Sequence, residues 1–342
     1  MKKGNKRLLS SVLVFALLLF AAGRGASAYA AELPEKLVPI GRTAGIKLFA
    51  DGVVVLATGE VETPAGALSP AESGGLMPGD VILYVNGERV TENEMLSSSL
   101  EGRAGQKTEF KIRRGDGEKT LWVTPAEDLK GDCCIGASVR DSIAGIGTIT
   151  YYNPEDGTFG ALGHGICQSE SGELFPLGSG CLVPSEVVGV NKGAAGKPGE
   201  LLGAFDSDGD CGEIRANTER GIFGSLEADG LYPENLNGEA LSLGDKAEKG
   251  KAYVLSNVFG GNVAKYEIEI VKTANVDRLT KNFQFRVSDA VLLEATGGVV
   301  QGMSGSPIIQ NGKLIGAVTH VSVNDPTVGY GILIENMLSA AA

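Results

Sequence analysis

The sequence predicts a mainly β protein with two folded domains, and three observations carry that reading. Glycine supplies 50 of 342 residues with no three-residue period, about twice the ordinary usage of roughly 7%, which favours a chain broken by tight turns. Apolar segments are short and alternate with polar residues, the two-residue period of strands with one face in a core. With 43% apolar and 21% charged residues, a chain of this length has material for more than one core. The formal charge of −12, from 42 acidic and 30 basic residues, repels a phosphate backbone, so no nucleic-acid partner is expected.

Residues 1–31 form the first segment. Lys2, Lys3, Lys6 and Arg7 precede an unbroken apolar run from Val12 to Ala22, the arrangement of an export leader. Counted with Leu8 and Leu9, the stretch of about 15 residues falls short of the ~20 that cross a hydrocarbon core, and Ala26-Ser27-Ala28 offers a small-residue cleavage site. The chain is therefore expected to be exported, either secreted after cleavage or attached to the membrane outer face by an uncleaved anchor. Cleavage removes five positive charges and takes the net charge from −12 to −17.

Residues 32–128 read as a small α/β module. Val53 to Leu56 and Val81 to Val85 have the composition of strands, Asn86-Gly87 that of a tight hairpin turn, and Phe110, Ile112, Leu121 and Val123 alternate around Gly115-Asp116-Gly117. Met95, Leu96 and Leu100 give Glu92 to Glu101 a helical stripe. Gly75-Leu76-Met77-Pro78-Gly79-Asp80-Val81-Ile82, followed by Val85-Asn86-Gly87, resembles the central segment of PDZ domains. That resemblance implies a groove for an extended peptide, with Gly45, Ile46, Lys47 and Leu48 as the loop that captures its carboxylate. The alternative is that Gly45 only turns a corner. Pro125 to Asp128 reads as a linker.

Residues 129–342 continue in strands. Gly147 to Tyr152, Phe159 to Leu162, Tyr253 to Leu255, Glu267 to Val271 and Phe283 to Val287 are spaced as in an antiparallel barrel, and Thr296 to Ile334 adds at least two more. Five cysteines, Cys133, Cys134, Cys167, Cys181 and Cys211, cannot all pair within the chain; Cys167 with Cys181 is one imaginable bridge. No CxxC occurs and His164-x2-Cys167 has no second close pair, so no metal site is expected.

The chemistry concentrates in Gly302-Met303-Ser304-Gly305-Ser306-Pro307. A serine between glycines at a sharp turn is open to attack geometry, and the amides of Gly302 and Ser304 can converge on one oxygen as an oxyanion hole. A plain loop has the same composition. Serine needs a base, and the chain has two histidines. His164 ends a predicted strand between two glycines; His320 lies in or beside a strand that would line the same cleft. A carboxylate to orient the imidazole is sought in Asp289, with Asp206, Asp208 and Asp210 as rivals. That acidic run has Cys211 and Asn217 where a calcium loop needs Gly and Glu, so it reads as a solvated turn.

Ala161-Leu162-Gly163-His164-Gly165, Asp289 ahead of Leu292 to Gly298, and Val300 to Lys313 around Ser304 resemble the stage IV sporulation protein B peptidases. The order of leader, PDZ domain and peptidase domain is also similar to that family. The resemblance implies a chymotrypsin-like antiparallel double β-barrel and a serine endopeptidase without cofactor, with His164 as general base, Asp289 as its orienter and Ser304 as nucleophile. It further implies a role in endospore formation, with export into the forespore intermembrane space and self-association and self-processing involving the PDZ domain. The implied substrate is the extracytoplasmic part of a membrane regulator, whose cutting frees an intramembrane protease to process a pro-sigma factor. Two readings of other kinds compete: a barrel that binds peptides without cutting them, and a general quality-control protease of the envelope.

Overall fold

A computed structural model describes residues 33–205, 209, 211–226, 233–273 and 279–341. The expected leader, residues 1–31, and the acidic rivals Asp206, Asp208 and Asp210 lie outside the described residues. Among the described residues no helix is long and apolar enough to cross a membrane.

The chain is built on β1 (Thr43–Thr58), a strand of 16 residues. Ala44, Ile46, Leu48, Ala50, Val54 and Leu56 face one core along its length, and Val53 and Val55 face another. Past β1 come β2 (Val81–Val85), α1 (Asn93–Leu100), β3 (Thr108–Arg114) and β4 (Gly117–Val123), which form the module. The chain then returns along β5 (Ala137–Tyr152), again 16 residues long and antiparallel to β1 from Thr58 down to Thr43. The PDZ module is therefore inserted between the first two strands of a barrel rather than preceding it. Val38, Ile40, Ala44, Ile46 and Leu48, expected in the module, pack in the barrel's core.

Six strands close the first barrel: β1, β5, β6 (Thr158–Ala161), β10 (Gly221–Leu226), β9 (Gly212–Thr218) and β7 (Ser179–Asn191), which returns to β1. β8 (Glu200–Phe205) hangs on β7 as a hairpin. The second barrel closes through β11 (Gly250–Ser256), β12 (Ala264–Lys272), β13 (Phe283–Val287), β16 (Val328–Leu333), β15 (Lys313–Val321) and β14 (Pro307–Gln310). Helix α2 (Ala290–Thr296) follows β13. This is the chymotrypsin-like double β-barrel. Tyr266, Ile268 and Ile270 on β12, and Phe283, Phe285 and Val287 on β13, point inward at every second position. Gly331 and Gly329 stand opposite Phe283 and Phe285, and a Cβ on either would come within 2.4 Å of the ring, so both glycines make room for aromatic packing. Leu37, Tyr151 and Phe223 pack with Leu314, Ala317 and Ile332, which joins the two barrels in one apolar layer.

The module has its own core of Val53, Val55, Leu76, Ile82, Leu96, Leu100, Phe110 and Ile112. Asn86 and Gly87 have φ of +50° and +82°, the left-handed pair required by a two-residue hairpin. Asp80 is 1% exposed. It accepts two bonds of 2.6 Å from the Arg114 guanidinium and one of 2.9 Å from Met77 N, which fixes the turn ahead of β2. Asp80→Ala leaves that guanidinium without its bidentate partner and is expected to cost about 3 kcal/mol, checked by chemical denaturation of the full chain.

Cys167 carries a free, exposed thiol, so it makes no bridge to Cys181.

Candidate active site between the barrels

Ser304 and His164 face one cavity of about 510 Å³, lined also by His320, Gly302, Thr319 and residues of β5. His164 arrives there because the chain turns sharply after β6. Leu162 and Gly163 have φ of +69° and +71°, a conformation costly for leucine and maintained by its surroundings. Gly163 lies so close to Thr319 and Ile332 of the second barrel that a Cβ would come within 2.9 Å of either. Ser304 is held from below by the first barrel: Thr148 N donates to Ser304 O at 2.9 Å, and Thr148 Oγ1 to Gly302 O at 2.7 Å.

The loop satisfies its own backbone except where it meets the cavity. Met303 N donates to Val300 O, Gly305 N to Val318 O and Ser306 N to Met303 O. Among the described residues, the amides of Gly302 and Ser304 are given no acceptor, and both residues line the cavity. The Ser304 hydroxyl donates to Thr319 O at 3.0 Å. The hydroxyl has one proton, so it must leave that carbonyl before the imidazole can accept it.

His164 Nδ1 lies 2.9 Å from Gly165 O. When Nδ1 carries the proton donated to that carbonyl, Nε2 keeps its lone pair and is the basic nitrogen. The ring of His320 is 5.4 Å away, centroid to centroid, tilted by 45°. Burial pushes the His164 pKa below its ordinary value, and the Gly165 carbonyl opposes this weakly. The active base is the neutral ring, so the acid limb of kcat/KM is expected below the unperturbed value of about 6.5. An acid limb centred above that value would contradict it. Linkage gives the matching sign for stability: the unfolded chain takes the proton first, so stability falls as pH drops through and below about 6.5.

In the structure His164 Nδ1 faces the Gly165 carbonyl, and Asp289 is bonded to backbone amides. Its Oδ1 accepts from Val291 N and Leu292 N at 3.0 Å each, and its Oδ2 from Glu267 N at 3.3 Å. It is the N-cap of α2, and both oxygens are committed to backbone amides. The family resemblance implies a triad role for Asp289; the bonds it makes in the structure are those of a helix cap. Asp289→Asn, which retains a capping oxygen, is expected to change kcat less than about tenfold, whereas Asp289→Ala should cost about 1 kcal/mol of stability. A 10⁴-fold loss in the Asn variant would restore the triad assignment.

Gly45, Ile46, Lys47 and Leu48 form no carboxylate loop. They lie within β1 with both edges paired, to Gly145, Ile146, Ala144 and Ile143 on β5 and to Val183, Leu182, Cys181 and Gly180 on β7. An added strand finds no free edge there. Glycine at 45 is required by packing, since a Cβ would come within 2.4 Å of the Phe205 ring. Thr148 and the carbonyls of Gly165 and Thr319 complete the site but escaped the sequence reading; backbone partners leave no side-chain signature.

Residues 131–338 match the family described as SpoIVB peptidase S55, and residues 64–114 match the PDZ domain family. Over 109 residues the chain is 28% identical to the zinc metalloprotease RasP of Geobacillus kaustophilus, a stretch covering 31% of this chain and 22% of that protein. The chain thus spans about a fifth of that curated relative's length. Among solved structures it is similar to the PDZ domain of an SdrC-like protein from Listeria monocytogenes, at 21% identity over 26% of this chain and 87% of that one, with a TM-score of 0.21. It is also similar to the active form of the Rv3671c protease of M. tuberculosis, at 14% identity over 59% of this chain and 73% of that one, with a TM-score of 0.32.

Proposed function

Since the chain belongs to the SpoIVB peptidase S55 family and is a serine peptidase, we propose that Ser304 is its nucleophile and His164 the base that activates it. The reading rests on one observation: both side chains line a single cavity, beside two amides with no other acceptor among the described residues. In the acylation step His164 Nε2 takes the Ser304 proton as Oγ bonds to the substrate carbonyl carbon. The carbonyl oxygen becomes an oxyanion between the amides of Gly302 and Ser304. His164 then passes the proton to the leaving amine as the C–N bond breaks, and a water molecule resolves the ester by the reverse route. The Gly165 carbonyl supports the imidazolium where a carboxylate would in the commoner arrangement.

The biological role proposed is that of an exported endopeptidase of endospore formation. It would process itself and cut the extracytoplasmic part of a membrane regulator, so that an intramembrane protease matures a pro-sigma factor. The leader of residues 1–31 and the family membership support that reading. Incubation with a serine-directed phosphonate, followed by mass spectrometry beside Ser304→Ala, tests it. Labelling at Ser304, with self-cleavage fragments only in the wild type, is expected. A folded protein that takes no label, or is equally processed in both forms, would overturn it.

A further inference from the structure

The Gly302 amide is not aimed at the cavity by its own loop. It belongs to the peptide unit joining Gln301 to Gly302, and a trans unit points its N–H and its C=O in opposite directions. Gly302 has φ of +94°, and glycine tolerates either sign of φ, so the residue itself sets little preference between this orientation of the unit and the reversed one. In the reversed orientation the Gln301 carbonyl would face the cavity where the N–H now does, with a lone pair turned toward the place an oxyanion has to occupy.

The group that holds the Gln301 carbonyl comes from the first barrel. Leu201 N donates to Gln301 O at 2.8 Å, and Gln301 N donates to Gly199 O at 2.8 Å. The start of β8 thus meets the catalytic loop as a short parallel bridge, Glu200 beside Gln301. The approach is close on both sides of that bridge: a Cβ on Gly302 would stand 3.0 Å from Leu201 Cβ, and one on Gly199 would stand 2.8 Å from Val300 Cγ1. Leu201 is 5% exposed and packs with Val187 of β7 and with Val300 and Met303 in the second barrel's core, which anchors the hairpin beneath the loop. Among the described residues β8 pairs with no strand but β7. The neighbouring carbonyls of the loop have other holders, Gly302 O the Thr148 hydroxyl and Met303 O the Ser306 amide.

We propose that Leu201, through its backbone N–H, is a positioning residue for the oxyanion site. It fixes the Gln301 carbonyl away from the cavity and so aims the Gly302 N–H into it. The second barrel supplies the donor, and the β7–β8 hairpin of the first barrel sets its direction. The effect falls on the transition state, because the substrate oxygen takes up its charge only as Ser304 Oγ bonds to the carbonyl carbon; a misdirected amide therefore lowers kcat and leaves KM nearly unchanged. Its size is bounded by the worth of one such donor, about 10²–10³ in kcat. The clamp rests on the peptidase reading of Ser304.

The test uses the full chain and a peptide that the wild type cuts, selected by mass spectrometry from a randomised library. Incorporating the α-hydroxy acid of leucine at position 201 exchanges the N–H for an ester oxygen and keeps the side chain. This variant is expected to lose about 100-fold or more in kcat, with KM within about threefold of the wild type. Leu201→Pro removes the same N–H on the edge of β8 that faces away from β7 and should match that loss; if it does not fold, the ester decides. Leu201→Ala returns the N–H and should restore kcat to within about threefold of the wild type, although the space it leaves beside Val187, Val300 and Met303 lowers the melting temperature. Wild-type kcat in the ester variant, a loss carried by KM, or an equal loss in Leu201→Ala would overturn the clamp and leave Ser304 in its role. Cleavage that persists undiminished in Ser304→Ala, or no cleavage of any library member by the wild type, would overturn the peptidase reading and the clamp with it.

Discussion

Ser304→Ala is expected to lower kcat/KM by about four to six orders of magnitude, because nucleophile and base act as a unit and only substrate binding and the two amides remain. The variant should fold normally: the hydroxyl makes one hydrogen bond, to Thr319 O, at a partly exposed position. His164→Ala should cost a comparable factor, and the double variant no more than the worse of the two singles. Steady-state cleavage of a peptide substrate measures all three. Residual activity of more than a few per cent in Ser304→Ala would remove that residue from the chemistry. A double variant whose loss equals the product of the singles would separate His164 from the proton transfer.

The second large effect is expected at Gly305, a residue that touches no substrate. Its φ is +95°, and a Cβ there would stand 2.0 Å from Thr148 O and 2.6 Å from Leu162 N. Both atoms are backbone, and they are bonded to each other, Leu162 N donating to Thr148 O at 3.2 Å. Neither can retreat without moving β5 or the turn that delivers His164. Gly305→Ala should therefore cost about 3 kcal/mol of stability and at least about 100-fold in activity, since displacement by an ångström spoils attack geometry. Thermal unfolding and the rate of phosphonate labelling provide separate readings. Wild-type values of both would show that the catalytic loop yields far more easily than this packing implies.

The parts of the site legible in the sequence are those encoded by neighbours along the chain. Glycines around Ser304 and His164 mark places where two backbones approach, and the structure has them pressed against Thr148, Thr319 and Ile332. Strands with one apolar face, such as Tyr266 to Ile270 and Phe283 to Val287, announce themselves by alternation. Position in a sheet is another matter. Nothing local reveals that Ala44, Ile46 and Leu48 pack in the barrel while Val53 and Val55 pack in the module. The cap role of Asp289 is legible locally, as an acid just ahead of Ala290-Val291-Leu292 has the form of a helix start.

The insertion of the module between β1 and β5 makes the early chain indispensable to the late one. A truncation beginning near residue 129, where a domain boundary was expected, would delete a stave of the first barrel and bare the facing edges of β5 and β7 to aggregation. The piece between Thr58 and Ala137, which stand opposite one another, is a cassette that lends Val81 and Leu83 to the barrel's core. During synthesis the same layout postpones closure of that barrel until the cassette has emerged and returned the chain to its starting point, a long loop to close and a slow step by topology.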